Sequence, residues 1–227
     1  MKIILTIINF VFLSILVTSC QHSNTIKPSV SKISHQPEVI DKSCRDGNAK
    51  LYDECNNQIQ ILQKAVQQAS NENKNVIVVY GGEWCIWCHV LDKYFHGQFR
   101  TFDYKWRDSS GDIFEWLMNE TVTQTEIDDA IALNQFVADN FVVAHIESEY
   151  TNGRDAIDST GFDSSNIYYY PYIFVLNEQG QYVSSMPSTD AIENFEIRES
   201  GGEEYRGYNR KILLEQLKKL KIDTNNE

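Results

Sequence analysis

Two residues separate Cys85 from Cys88 in Trp84-Cys85-Ile86-Trp87-Cys88, and that spacing is the clearest chemical signal in this 227-residue chain. If the segment opens a helix, the first sulfur lies among unpaired backbone N–H groups at the positive end of the helix dipole. Such surroundings favour the thiolate, which is the nucleophile of disulfide exchange. Cys85 is then the attacking thiolate. Cys88 is the resolving thiol that attacks the mixed disulfide and releases the reduced partner, and the reverse order of steps donates a disulfide. With His89 the motif also spells C-x-x-C-H, the attachment pattern of c-type haem, in which His89 would be one axial ligand and His145 or a Met the other. The strand character before the motif and the preceding Trp84 speak against haem.

Three further cysteines remain. Cys44 and Cys55 have ten residues between them, unlike the paired knuckles of a zinc site. A structural disulfide between them is expected to close a short loop, with ~2–3 kcal/mol from the loop-entropy effect. The alternative is that one of these thiols exchanges with Cys85. Cys20 closes an apolar run from Ile3 to Val17 that follows Lys2, a secretory signal pattern too short for a comfortable membrane span. Leu16-Val17-Thr18-Ser19-Cys20 resembles a bacterial lipobox, which implies a signal peptide over 1–19, lipidation at Cys20 and a lipid-anchored tether over 20–43. A plain signal peptide cleaved near Ser19 is the alternative. The lipobox reading makes the protein exported and membrane-associated on the periplasmic side. Gln21, in place of Asp, favours the outer membrane of a diderm host. It also removes the odd cysteine, and an oxidising compartment suits disulfides at the other four.

The elements that must position these residues follow from hydrophobic periodicity. Apolar positions from Leu51 to about Ser70 recur at helical spacing. Val76 to Tyr80 is a β-branched run suited to a buried strand, Gly81-Gly82 ends it, and helical character resumes from Cys88 to Phe95. Thr125 to Asp139 reads as a helix, Phe141 to Ile146 as a strand, and Tyr168 to Leu176 as a strand interrupted by Pro171. Asn177 to Gly180 is a turn, Gln181 to Ser184 its returning strand, and Lys211 to Lys221 a final helix. This order predicts an α/β domain with a mixed sheet and helices on both faces. The formal charge of −12 argues against nucleic acid as a partner. No phosphate loop, hydrolase elbow or metal triad is present in the sequence, and neither cofactor nor metal is expected.

Glu83-Trp84-Cys85-Ile86-Trp87-Cys88 after a buried strand, with Tyr170-Pro171-Tyr172-Ile173-Phe174-Val175-Leu176 downstream, resembles the thioredoxin superfamily. The resemblance implies a thioredoxin-like domain over 44–224, a cis peptide before Pro171, and supporting roles beside the cysteines for Trp84, Tyr170 and Pro171. It further implies a thiol–disulfide oxidoreductase acting on cysteine-containing exported proteins, served by a membrane or periplasmic redox partner, with a lean toward reductase or isomerase work. Val79 stands where the family carries a buried acid, Tyr172 replaces the usual Thr, and Ile86-Trp87 replaces Gly-Pro between the cysteines. The 83 positions from Cys88 to Pro171 require an insertion, placed at about 96–124 and read as a covering loop or else a partner surface. A different class of function is a thioredoxin-like binding module with a structural Cys85–Cys88 disulfide, in which Tyr168, Tyr169, Tyr170 and Tyr172 form a recognition surface.

Overall fold

The computed structural model describes residues 29–99, 102–107, 112–117, 122–187, 196–200 and 203–222; for 102–117 and 196–206 only the backbone is described. In chain order the elements are β1 (Ser34–Gln36), α1 (Gln58–Glu72), β2 (Asn75–Gly81), α2 (Ile86–Phe95), β3 (Phe102–Arg107), β4 (Asp112–Leu117) and α3 (Gln124–Asn140). There follow β5 (Phe141–Glu147), α4 (Gly153–Asp158), β6 (Tyr172–Leu176), β7 (Tyr182–Ser185), β8 (Glu196–Ser200), β9 (Glu203–Gly207) and α5 (Arg210–Leu220).

A mixed sheet in the order β1-β5-β2-β6-β7 forms the centre. β1 and β2 both run parallel to β5, while β6 is antiparallel to β2 and β7 to β6. Every residue of β2, β5 and β6 is buried, as expected of strands covered on both faces. One face carries Ile77, Val79, Val143, Ile173 and Val175 against α2, α3 and α5. The other carries Val76, Val78, Val142, Ala144 and Phe174 against α1 and α4. Alternation along each strand thus feeds two cores from one sheet. The mixed sheet with helices on both faces is the predicted architecture.

The helix ends follow from local side-chain chemistry. Thr123 and Glu126 form a reciprocal capping box at α3, and the Asn209 side chain accepts from Lys211 and Ile212 N–H at α5. α1 begins at Gln58 rather than near Leu51. The Asp53 carboxylate accepts the N–H groups of Cys55 and Asn56 (both 3.0 Å), which turns the chain away from helix, and Asn57 then caps α1 through Gln60 N–H. The strand expected from Tyr168 begins only at Tyr172.

Two findings concern segments outside the expected core. The sequence predicts a tether over 20–43, yet Ile33 is buried and Ser34–Gln36 pair with Val142–Ala144. The free edge of β5 supplies backbone partners, and the buried Asn134 accepts Ser31 N–H (2.7 Å) and donates to Ser31 O (3.1 Å). A sequence without apolar periodicity is ordered by the edge it meets. The extra residues placed at 96–124 contribute β3 and β4 to a four-stranded antiparallel sheet, β4-β3-β9-β8. Half of that sheet comes from 196–207. It is joined to the central domain just after β9, where Arg210 donates to Gln98 O and lies 4.1 Å over the Tyr94 ring. Residues 1–19 and Cys20 lie outside the described residues. Among the described residues no helix is long and apolar enough to cross a membrane.

Candidate active site

β2 delivers the chain to Gly81 and Gly82, and α2 starts four residues later. Cys85 is itself the N-cap of α2: its backbone is extended and its Sγ accepts the Cys88 N–H at 3.2 Å. A sulfur therefore takes the place that a Ser or Asp oxygen fills in an ordinary cap. Cys85 and Cys88 are joined in a disulfide with Cα atoms 5.2 Å apart. Cys85 retains 4% exposure and Cys88 none, so Cys85 is the sulfur of the pair that reaches the surface.

Leu51, Tyr52, Trp84, Trp87 and Tyr170 pack around the disulfide. The Tyr170–Pro171 peptide is cis, as the sequence resemblance implies. Tyr170 meets Trp84 edge to face with ring centroids 5.3 Å apart. The central sheet, the Cys-capped helix and the cis-proline strand beside it decide the architecture. The fold is thioredoxin-like. No family model and no curated protein matches the chain. Among solved structures, a disulphide isomerase from Xylella fastidiosa Temecula1 is similar at 18% identity with a TM-score of 0.37, over 60% of this chain and 77% of that one. So distant a likeness adds nothing to what the topology of this thioredoxin-like domain already shows.

The second cysteine pair is also bonded. Cys44 and Cys55 form a disulfide with Cα atoms 5.9 Å apart, Cys44 buried and Cys55 exposed. The segment it closes reaches the active site, because Leu51 and Tyr52 donate their N–H groups to Glu83 Oε2 at 2.9 and 3.0 Å. Cys44, Asp53 and Cys55 are the one group among the described residues whose ligand atoms are close enough to share an ion. With both sulfurs in a disulfide, no thiolate is left there for zinc. The haem reading loses its sulfurs in the same way, and the His89 ring faces the Glu83 carbonyl at 2.7 Å.

Sequence reading names His145 only as a possible haem ligand and misses the buried ionisable groups around it. Val79 pairs in register with His145, which is 2% exposed. His145 Nε2 lies 3.6 Å from Asp92 Oδ1, and neither ring nitrogen makes a hydrogen bond among the described residues. Burial holds its pKa down to about 4, against the pull of Asp92, so the ring is neutral at pH 7. Burial opposes the Asp92 carboxylate, but hydrogen bonding from His96 and the charges of His145, His96 and His89 outweigh it and lower its pKa. The acid expected of the family at position 79 is absent; an Asp–His pair comes instead from α2 and β5.

Glu147, at the end of β5, is fully buried. Its Oε2 accepts N–H groups from Glu149 and Tyr150, and its Oε1 has no partner among the described residues. Burial raises its pKa to about 7 despite those two hydrogen bonds. A Cβ placed on Gly82 would lie 2.6 Å from Trp84 Nε1 and 3.1 Å from Glu147 Oε1, so that oxygen and the indole N–H, neither with a partner among the described residues, flank one point. The tyrosine cluster divides: Tyr172 joins the core, Tyr170 covers the disulfide, and Tyr168 is 83% exposed.

Proposed function

We propose that the protein is a thiol–disulfide oxidoreductase that exchanges disulfides with exported, cysteine-containing proteins through Cys85 and Cys88. The observation that carries this reading is the Cys85 sulfur in the N-cap of α2, accepting a backbone N–H. On reduction the same donor and the helix dipole stabilise a Cys85 thiolate. That thiolate attacks one sulfur of a substrate disulfide. The substrate S–S bond breaks, the departing substrate thiolate takes a proton, and Cys85 is left in a mixed disulfide. Cys88 then loses its proton and attacks Cys85, restoring the Cys85–Cys88 bond. The second substrate thiol leaves reduced, so the protein has been oxidised by two electrons and the substrate reduced by two. Trp84 and Tyr170 line the approach to Cys85. A membrane or periplasmic redox partner resets the pair.

Location outside the cytoplasm is supported by the signal pattern ending at Cys20 and by a second disulfide, Cys44–Cys55. On this reading Cys20 carries lipid and holds the domain at the membrane.

Insulin reduction or oxidative refolding with the full chain tests the activity, and Cys85→Ser is expected to abolish it. Unchanged activity in that variant would sink the proposal. The reduction potential then sets direction: near −120 mV marks an oxidant and near −270 mV a reductant, on the order-of-magnitude scale of related dithiols. The low exposure of both sulfurs favours a second reading, a binding module with a structural disulfide. That reading predicts a Cys85–Cys88 bond that resists glutathione and a chain inert toward insulin.

A further inference from the structure

The two active-site sulfurs are served by different donors. Cys85 Sγ has the Cys88 N–H. Cys88 has no exposure, sits one turn into the helix, and becomes a buried thiolate when it resolves the mixed disulfide. An ion so placed requires a donor in contact with it. A Cβ on Gly81 would lie 2.4 Å from Cys88 Sγ and 2.9 Å from Tyr52 Oη, so the sulfur and the hydroxyl close on the same point over the Gly81 backbone. Tyr52 is itself fully buried and packs in one cluster with Cys85 and Cys88. In the oxidised protein its hydroxyl donates to Val79 O at 3.5 Å, its one acceptor among the described residues. That is the long limit of a hydrogen bond, and a thiolate is a better acceptor than a distant carbonyl.

We propose that Tyr52 is the hydrogen-bond donor that stabilises the Cys88 thiolate, and so sets the rate of the resolving step. The inference rests on the exchange reading above. In that step Cys88 loses its proton to solvent and the thiolate, held by Tyr52 Oη–H, attacks Cys85 Sγ. The bond from Cys85 to substrate breaks, and the departing substrate sulfur takes the electron pair and a proton. Tyr52 remains protonated throughout. Burial first, then the charges of Asp92, Glu83, Tyr208 and Glu147, raise its pKa well above the ordinary phenol value. Those groups, with the neutral His145 ring 5.5 Å from the Tyr52 ring, are what faces it from α2, the turn before α2, β5 and the segment after β9. The acidic members also oppose a Cys88 anion, which makes a committed donor necessary. Glu83, through the Leu51 and Tyr52 N–H groups, and the Cys44–Cys55 disulfide hold the segment that presents the hydroxyl.

The test uses the reduced full chain mixed with glutathione disulfide, quenched in acid at intervals and read by mass. Glutathione adduct formation reports attack by Cys85, and adduct loss with closure of the disulfide reports attack by Cys88. Tyr52→Phe keeps the ring and removes the donor. Adduct formation should stay within about twofold of wild type, whereas resolution should slow about tenfold or more, as for loss of a hydrogen bond to a charged group. The pH midpoint of resolution should rise by about one unit, the equivalent of that tenfold loss. Resolution at the wild-type rate and pH, or equal slowing of both steps, overturns the role of Tyr52. Failure of the wild-type chain to form any adduct overturns the exchange reading itself.

Discussion

Cys85–Cys88 lies between a strand buried along its whole length and the first turn of a helix, with Gly81 and Tyr52 pressed against it. Cys44–Cys55 ties two points of an irregular segment, one end buried and the other at the surface, organised by the Asp53 carboxylate. The bond is the same and the surroundings differ, and on the proposed exchange reading that difference divides reactivity from restraint. A cap position supplies a donor to a sulfur that becomes an anion; a loop closure restricts the unfolded chain and supplies none.

The largest expected effects are crossed. Cys85→Ser should lower exchange by at least about a thousandfold, as loss of a nucleophile does. Cys44→Ser with Cys55→Ser should leave adduct formation at Cys85 within about threefold, because Glu83 still holds Leu51 and Tyr52. The same double variant should lose about 2–3 kcal/mol of stability in denaturant unfolding. If it instead abolishes adduct formation, the second disulfide belongs to the reaction and the contrast collapses.

A glycine near each disulfide sharpens the comparison. Gly81→Ala forces a Cβ to 2.4 Å from Cys88 Sγ in a space that cannot yield, and should cost about 3 kcal/mol, read by thermal or urea unfolding. Gly47, three residues after Cys44, has φ +85° and would place a Cβ no closer than 3.4 Å to any neighbouring atom beyond its chain neighbours. Gly47→Ala should therefore cost only the left-handed backbone penalty, about 1–2 kcal/mol. Equal losses at the two positions would contradict the packing described around Cys88.

What was legible in the sequence divides along physical lines. β2 and β5 announce themselves as β-branched runs because both faces are covered, and the Cys-x-x-Cys spacing and Pro171 carry their own geometry. β1 has no such signal, since its order comes from the edge of β5. Gly201-Gly202, between β8 and β9, is a dipeptide of the two-residue hairpin kind, but no alternating run flanks it to announce the strands. Tyr52 was hidden by reading a helix from Leu51, although Asn57 was available as its true cap. Glu147, Asp92 and the pairing of Asp92 with His145 were hidden for another reason. Periodicity marks buried positions as apolar, and ionisable groups held there by tertiary context break the pattern without a local trace.

Those buried groups surround only one of the disulfides, and they give the domain an unusual dependence on pH. Glu147, raised to about 7 from an ordinary 4.5, binds its proton more tightly folded than unfolded. Its stabilising contribution is full below about pH 4.5 and is lost as pH rises through about 7. His145, lowered to about 4 from 6.5, binds its proton less tightly folded. Its contribution is full above about pH 6.5 and is lost as pH falls through about 4. Between about 4.5 and 6.5 the two slopes oppose, and the oxidised native chain should change by less than about 1 kcal/mol from this pair. Each substitution then uncovers the other slope. Glu147→Gln should leave stability rising with pH from about 4 to 6.5, and His145→Leu should leave it falling from about 4.5 to 7, each by on the order of 2 kcal/mol. Urea titrations of the three oxidised proteins across this range supply the curves. Parallel curves would mean that folding shifts neither pKa, and that the buried groups beneath Cys85–Cys88 impose no pH dependence on the stability of the fold.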